Sequence, residues 1–164
     1  MIPGEIDLED LAAQLREDGV ALATSGQSGQ DLDNDAFELH LQASKRDAEL
    51  DNAGFVVVDQ TPAQPADLRD VAHDLALATG LDLVIVRSPH ASGAVSNSHS
   101  RFQVESGQRA MMAEPDYGDG LKAFAETADG LGGGWSFIAI SVVIAVFAAI
   151  GTTVAWTVKR ADLT

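Results

Sequence analysis

A long uncharged run lies close to the C-terminal end of this chain and limits how the chain can fold. Residues 135–158 form 24 consecutive positions without a charged residue or a proline. An α-helix needs about 20 mostly apolar residues to cross the ~30 Å hydrocarbon core of a bilayer. Trp135 and Trp156 bracket the run, and tryptophan favours the two membrane interfaces. The sequence therefore predicts one C-terminal transmembrane helix over residues 135–158, with the lipid bilayer as its surroundings.

Charges beside this span predict its orientation. Lys159 and Arg160 follow it directly, and the cytoplasmic flanks of membrane spans are enriched in Lys and Arg. The start of the chain, MIPGEIDLEDLAAQL, has no basic segment followed by an apolar one, so no signal peptide is predicted. We therefore expect a single-pass protein of the cell membrane, with the tail 159–164 in the cytoplasm and the preceding domain outside it. The predicted membrane-interface residues are Trp135, Trp156, Lys159 and Arg160.

Small residues recur along one side of the predicted span. Ser141, Ala145, Ala149 and Thr153 follow one another at intervals of four, which places them on one inclined stripe of a helix. Stripes of small residues let two helices approach closely in lipid, where hydrophobicity contributes little to their association. The stripe predicts helix packing at these four positions, either in a homodimer or with another protein's span. A monomeric span is the alternative.

The rest of the chain is strongly acidic. Of 25 acidic and 10 basic residues, only Asp162, Lys159 and Arg160 lie beyond position 134, so residues 1–134 carry the other 24 acids and 8 bases. Such a surface repels polyanions, which excludes nucleic acid as a partner. The chain has no cysteine, which excludes disulfides, a thiol nucleophile and cysteine-ligated metal sites.

Apolar spacing predicts alternating helices and strands in this acidic part. The runs GFVVVDQ and LDLVIVRS are apolar at nearly every position, as in strands that are covered on both faces. A helix between them predicts a parallel βαβ unit, with the right-handed crossover that such units adopt. The predicted helices cover residues 7–18, 35–52 and 65–79 and a segment containing Leu121, Phe124, Ala125 and Ala128. The predicted strands are 54–60 and 81–88.

Two segments after the βαβ unit complete the predicted sheet. Residues 89–100 are expected to form a loop, or a loop with a short edge strand. RFQVES, residues 101–106, alternates in polarity and predicts a third, half-buried strand with Phe102 and Val104 on one face. The predicted fold class is α/β, a small mixed sheet of three to four strands built on a βαβ unit with flanking helices. The predicted organisation is an N-terminal helix in 1–23, a flexible linker 24–34, an α/β domain 35–129, a Gly-rich linker 130–134, the span 135–158 and the tail 159–164.

The order of these elements resembles a known domain. Strand, helix, strand, loop and RFQVESGQ are similar to the TPM domain, in which a βαβ unit precedes a strand ending in an acid, a small residue and glycine. Here those residues are Glu105, Ser106 and Gly107. The single span and the start MIPGEIDLEDLAAQL resemble a family of small actinobacterial single-span membrane proteins of unknown function, often encoded beside cell-wall peptidase genes. The resemblance implies a place in the cell envelope. Gln108 and Arg109 stand where TPM domains usually carry an aromatic residue and glycines.

Candidate catalytic residues lie at the predicted carboxyl ends of the strands, where open α/β sheets bind ligands. Asp59 follows the first apolar run, and Arg87 and His90 follow the second. Together they could supply a base, an anion-binding group and a group that titrates near neutral pH. The alternative is that Asp59 pairs with Arg87 across the strand ends while His90 is a surface residue. No motif for a metal, a nucleotide or another cofactor is present, so none is predicted.

Two functions follow from these observations. The first is a membrane-anchored, non-catalytic interaction module of the cell envelope, which binds an envelope protein and has a link to peptidoglycan remodelling through the resemblance. The second is a membrane-tethered, phosphatase-like hydrolase that works at the strand ends. The first needs only a folded domain and an anchor, and the sequence supplies both.

Overall fold

A computed structural model describes residues 6–23 and 31–130. The chain divides into two compact units, 1–129 and 130–164, and the described sheet and helices form the first. The predicted span 135–158, with its interface and packing residues, lies outside the described residues. Within the described ranges, no helix has both the length and the apolar character needed to cross a membrane.

The first unit contains one four-stranded sheet. Its strand order is β1–β2–β3–β4, with β1, β2 and β3 parallel and β4 antiparallel to β3. The elements in chain order are α1 (Leu8–Glu17), β1 (Val20–Ala23), α2 (Asp31–Asp47), β2 (Ala53–Val58), α3 (Ala66–Thr79), β3 (Leu83–Arg87), β4 (Ser92–Ser96), α4 (Arg101–Ala113) and α5 (117–130).

Helices cover both faces of this sheet, as the apolar strands require. Successive strand residues point to opposite faces, so Phe55 and Ile85 join one core while Val56 and Val86 join the other. The first core is closed by α2, α4 and α5, and the second by α1 and α3. The predicted α/β class and mixed sheet are confirmed.

The predicted βαβ unit corresponds to β2, α3 and β3. Gly80 ends α3 with a backbone φ of 75°, a left-handed conformation that glycine adopts without strain. A second parallel connection, which the sequence did not reveal, runs from β1 through α2 to β2. The two connections step in the same direction across the sheet, but α2 and α3 lie on opposite faces, so the connections have opposite hands. A right-handed α3 connection therefore requires a left-handed α2 connection, which is rare.

One strand prediction is wrong. Residues 101–106 belong to helix α4, and the fourth strand is Ser92–Ser96, within the segment where an edge strand was the alternative. Successive helix residues are separated by about 100°, so positions two apart point in nearly opposite directions. Accordingly, Val104 is buried at 6% exposure, whereas Phe102 is 62% exposed. The proposed strand, with both residues on one face, required them to be buried together.

The start of α4 shows why this segment is a helix. The Ser100 hydroxyl accepts a hydrogen bond from the backbone N–H of Gln103, and the Gln103 side chain accepts one from the N–H of Ser100. This reciprocal pair satisfies two N–H groups that a helix start otherwise leaves unpaired. Polar alternation over residues 101–106 indicates a strand, but the Ser-x-x-Gln spacing at residues 100–103 is the stronger signal.

Candidate functional site

The arginine at the end of β3 is a structural group in this fold. Arg87 is only 4% exposed, and its side chain points into the core formed with α2, α4 and α5. Its Nη2 donates to the carbonyl oxygen of Glu114 at 2.6 Å, and its Nη1 donates to that of Asp116 at 3.3 Å. Its guanidinium carbon lies 4.1 Å from the ring centre of Tyr117. These contacts fix the connection between α4 and α5.

Burial lowers the pKa of Arg87, and Tyr117 and Asp116 act in the opposite direction. The guanidinium Nε is buried without a hydrogen-bond partner in the described part of the chain. A buried cation with an unsatisfied donor is costly, so the two carbonyls and the aromatic ring must offset that cost. The contacts of Arg87 therefore stabilise the fold.

The other two residues predicted at the strand ends lie at the surface. Asp59 is exposed directly after β2, and His90 is exposed in the turn between β3 and β4. The backbone N–H of His90 donates to Thr61 Oγ1 at 3.2 Å, and this hydroxyl donates to Ser88 Oγ at 3.2 Å. No hydrogen bond or ion pair between described residues joins His90 to Arg87. The proposed catalytic role of these residues stays a prediction.

A second polar cluster, on the far side of Arg87, supports the start of α5. Asp116 accepts a hydrogen bond from the N–H of Asp119 at 2.9 Å, and it lies 3.2 Å from His40 Nε2. The Asp119 N–H is the main cause of the lowered pKa of Asp116, and His40 adds to it. Gly120 has no side chain, which leaves room for the Arg87 guanidinium. The cluster acts as a helix cap that locks α5 against α2 and β3.

The described residues hold no group of three or more His, Cys, Asp or Glu side chains that could bind a metal ion. An open concave surface with several polar and charged side chains lies elsewhere, beside β4. It is a groove of about 340 Å³, lined by the start of α3, the whole of β4 and one face of α4. A shallower depression continues it along α4 towards Met112. We refer to the two together as the β4 groove.

The β4 groove exposes the edge of the sheet. The N–H of Ser88 donates to the carbonyl of Ala91, and that of Asn97 donates to the carbonyl of Asp82. In an antiparallel pair the residues alternate between facing the partner strand and facing away from it. Positions 93 and 95 therefore face β3, whereas Ser92, Ala94 and Ser96 direct their N–H and C=O groups outward. Within residues 6–23 and 31–130, no hydrogen bond satisfies these outward backbone groups.

The walls of the groove follow from close packing of the helices. A Cβ at Gly93 would collide with the backbone of Leu68 and Arg69, so glycine lets α3 lie directly over β4. On the other face, Gln108 Nε2 contacts Ser92 Oγ at 3.5 Å, and His99 contacts Ser96 Oγ at 3.2 Å. Gln108 of α4 meets the start of β4, and His99, two residues before α4, meets its end, so α4 runs alongside β4 in the reverse direction.

Basic side chains concentrate at this groove. Arg69 on the α3 side and Arg101 and Arg109 on the α4 side all lie close enough to Glu105 to lower its pKa. The largest contribution comes from Arg101, whose Nε donates to Glu105 Oε1 at 2.6 Å. The sequence alone did not predict this site. The exposed edge strand and the Ser-x-x-Gln helix start were its available signals, but Arg69 is far in sequence from Arg101 and Arg109.

Comparisons with known proteins bear on the family. The solution structure of the N-terminal domain of the cg2496 protein from Corynebacterium glutamicum is similar over 78% of this chain and 84% of that one. Its sequence identity is 15% and its TM-score is 0.45. A comparison with curated proteins gave no match.

The family match covers almost the whole chain. The family described as Membrane protein Rv1476 matches residues 1–163. Its extent includes both the described α/β unit and the predicted span, and its description agrees with the membrane location that the uncharged run predicts. The chain therefore belongs to the Membrane protein Rv1476 family and is a membrane protein.

Proposed function

We propose that this protein is a membrane-tethered interaction module of the cell envelope, which binds an extended segment of a partner protein along β4. Residues 135–158 form its single anchor, and the α/β domain lies outside the cytoplasm. The observation that carries the proposal is the row of outward backbone groups on Ser92, Ala94 and Ser96 within the β4 groove. Such a row is a ready template for one more strand.

The form of the groove supports strand addition. Edge strands in folded proteins are commonly protected by charges, bulges or a covering element. Here α3 and α4 pack on the two faces of β4 and leave its outer edge between them. In strand addition, main-chain hydrogen bonds give affinity and pockets for alternate side chains give specificity. The walls of the β4 groove offer such contacts on both faces of an added strand.

The hydrolase alternative has less support from the geometry. It requires Arg87 to bind an anion at the strand ends, but the guanidinium donates to two backbone carbonyls and packs over Tyr117. If the guanidinium bound a substrate instead, it would lose the hydrogen bonds that hold the connection between α4 and α5. The link to peptidoglycan remodelling comes from the family resemblance, and it gives the partner's location rather than a reaction.

Residue-resolved hydrogen exchange tests the proposal without knowledge of the partner. The full-length chain is compared in native membrane vesicles and after purification into nanodiscs. The amides of Ser92, Ala94 and Ser96 should be protected in the vesicles and exchange rapidly in the nanodiscs. Those of Gly93 and Val95 bond to β3 and should be protected in both, which provides an internal control. Identical exchange of Ser92, Ala94 and Ser96 in the two preparations would refute the binding role.

A further inference from the structure

We propose that the β4 groove selects extended protein segments that carry acidic side chains at every fourth position, an inference that rests on the proposed function. Three arginines, Arg69, Arg101 and Arg109, border the groove, and Glu105 is the one acid among its lining residues. The formal charge of the groove lining is therefore positive, whereas the net charge of the whole chain is -15. That local reversal of sign indicates an acidic ligand.

The arginines are available for binding. Arg69 and Arg109 are exposed, and 76% of the Arg101 side chain is accessible. Glu105 accepts a single hydrogen bond from Arg101 Nε. The Nη donors of the guanidinium are left for a ligand. A carboxylate on an added strand could accept from these donors in the paired geometry that arginine and carboxylate favour.

Spacing along α4 suggests the pattern of acids. Arg101 and Arg109 are eight residues apart on the helix, which corresponds to about 12 Å at 1.5 Å per residue. In an extended segment, residues i and i+4 point to the same face and are about 13 Å apart. Because α4 runs alongside β4, acids at i and i+4 of an added strand would lie opposite these two arginines. Residue i+1 would face α3 and Arg69.

The same charges argue against a second copy of the chain as the occupant. If two β4 edges paired, the arginines bordering one groove would lie beside those bordering the other, and like charges in close apposition disfavour association. An acidic segment meets no such repulsion. A basic segment would be repelled by three arginines and attracted only by Glu105.

Synthetic peptides test the acid preference on the full-length chain in nanodiscs of neutral lipid. The probe is a labelled valine-rich peptide with glutamate at i and i+4, and its counterparts carry glutamine or lysine there. By anisotropy, the glutamate peptide should bind best, and its affinity should fall with salt, as expected for exposed charges. The double variant Arg101→Ala/Arg109→Ala should weaken its binding by about 2- to 30-fold, the range for two exposed ion pairs.

Two control variants separate charge from folding. Arg46→Ala removes an exposed arginine from α2, outside the groove lining, and should leave binding unchanged. Arg101→Glu/Arg109→Glu should reverse the preference, so that the lysine peptide binds better than the glutamate peptide. A variant that has lost its fold could not show this reversal.

The possible failures are distinguishable from one another. Equal affinity for the glutamate and glutamine peptides would overturn the acid preference and leave strand addition intact. If no peptide bound while Ser92, Ala94 and Ser96 were protected in native membranes, the ligand class would be wrong and the binding role would stand. Binding of the protein to vesicles of anionic lipid, with no peptide binding, would overturn the preference in favour of a membrane surface.

Discussion

Replacing Arg87 tests how the structure uses a buried guanidinium. Arg87→Met retains an unbranched apolar side chain of similar length, but it removes the donors to Glu114 and Asp116 and the charge over Tyr117. The two carbonyls then lose their partner inside the protein. The connection between α4 and α5 should loosen, and the global stability of the domain should fall.

The magnitude follows from these contacts. A hydrogen bond from a charged group contributes about 1.5–3 kcal/mol, which applies to the 2.6 Å contact with Glu114 and less to the 3.3 Å contact with Asp116. The cation–π contact with Tyr117 adds about 0.5–2 kcal/mol. Methionine avoids the cost of burying a charge, which offsets part of the loss. We expect the free energy of unfolding to fall by about 2–4 kcal/mol, within the range of a lost buried polar network.

Tyr117 is the only tyrosine in the chain, so 3-fluorotyrosine gives a single ¹⁹F resonance beside Arg87. The assay follows this resonance during urea unfolding of the full-length chain in nanodiscs. Arg87→Met should move both the resonance and the unfolding midpoint, and Arg87→Lys should give an intermediate midpoint because it keeps the charge. An unchanged midpoint and chemical shift in Arg87→Met would refute a structural role for this arginine.

Three further changes probe packing, capping and charge. Gly93→Ala places a Cβ against the backbone of Leu68 and should lower the free energy of unfolding by about 1–3 kcal/mol in urea titrations; no loss would mean that α3 does not lie over β4. Ser100→Ala removes the cap of α4 and should cost about 1 kcal/mol in the same titration; an unaltered midpoint would contradict the cap. The pKa of Asp116 is lowered, first by the hydrogen bond from the Asp119 N–H. The ionised carboxylate therefore stabilises the fold at pH above the ordinary pKa of 3.8, and this stabilisation is lost as the pH falls below that value. Asp116→Asn should therefore show a shallower loss of stability with falling pH, and an identical acid profile would rule this out.

Strong local signals made part of the fold predictable. The apolar runs at β2 and β3 and the periodic helix α3 between them specify a βαβ unit, and Gly80 directly follows the helix in a left-handed conformation. Strand β1 was missed because it has only four residues, Val20–Ala23, and follows α1 after a two-residue connection. Its pairing with β2 depends on contacts distant in sequence, which local patterns do not show.

The candidate site was harder to predict for the same reason. Its position at the end of a strand predicts that Arg87 lies near Asp59 and His90. Its hydrogen-bond partners instead come from the α4–α5 connection. Because the polarity pattern of residues 101–106 predicts a strand, the sequence does not indicate that this connection lies beside Arg87. The β4 groove likewise needs α3, β4 and α4 together, and Arg69 becomes a neighbour of Arg101 and Arg109 only through folding.

The exchange rate of the Ala94 amide during titration with the glutamate peptide shows whether an added strand pairs with the edge of β4. Ala94 lies in the middle of β4, with its N–H directed outward. Strand addition predicts that its exchange slows by about tenfold or more at saturation, as a free amide becomes hydrogen-bonded. The already protected Gly93 should change little. An unaltered Ala94 amide, with the perturbation centred instead on Asp59 and His90, would contradict the account and favour a site at the strand ends.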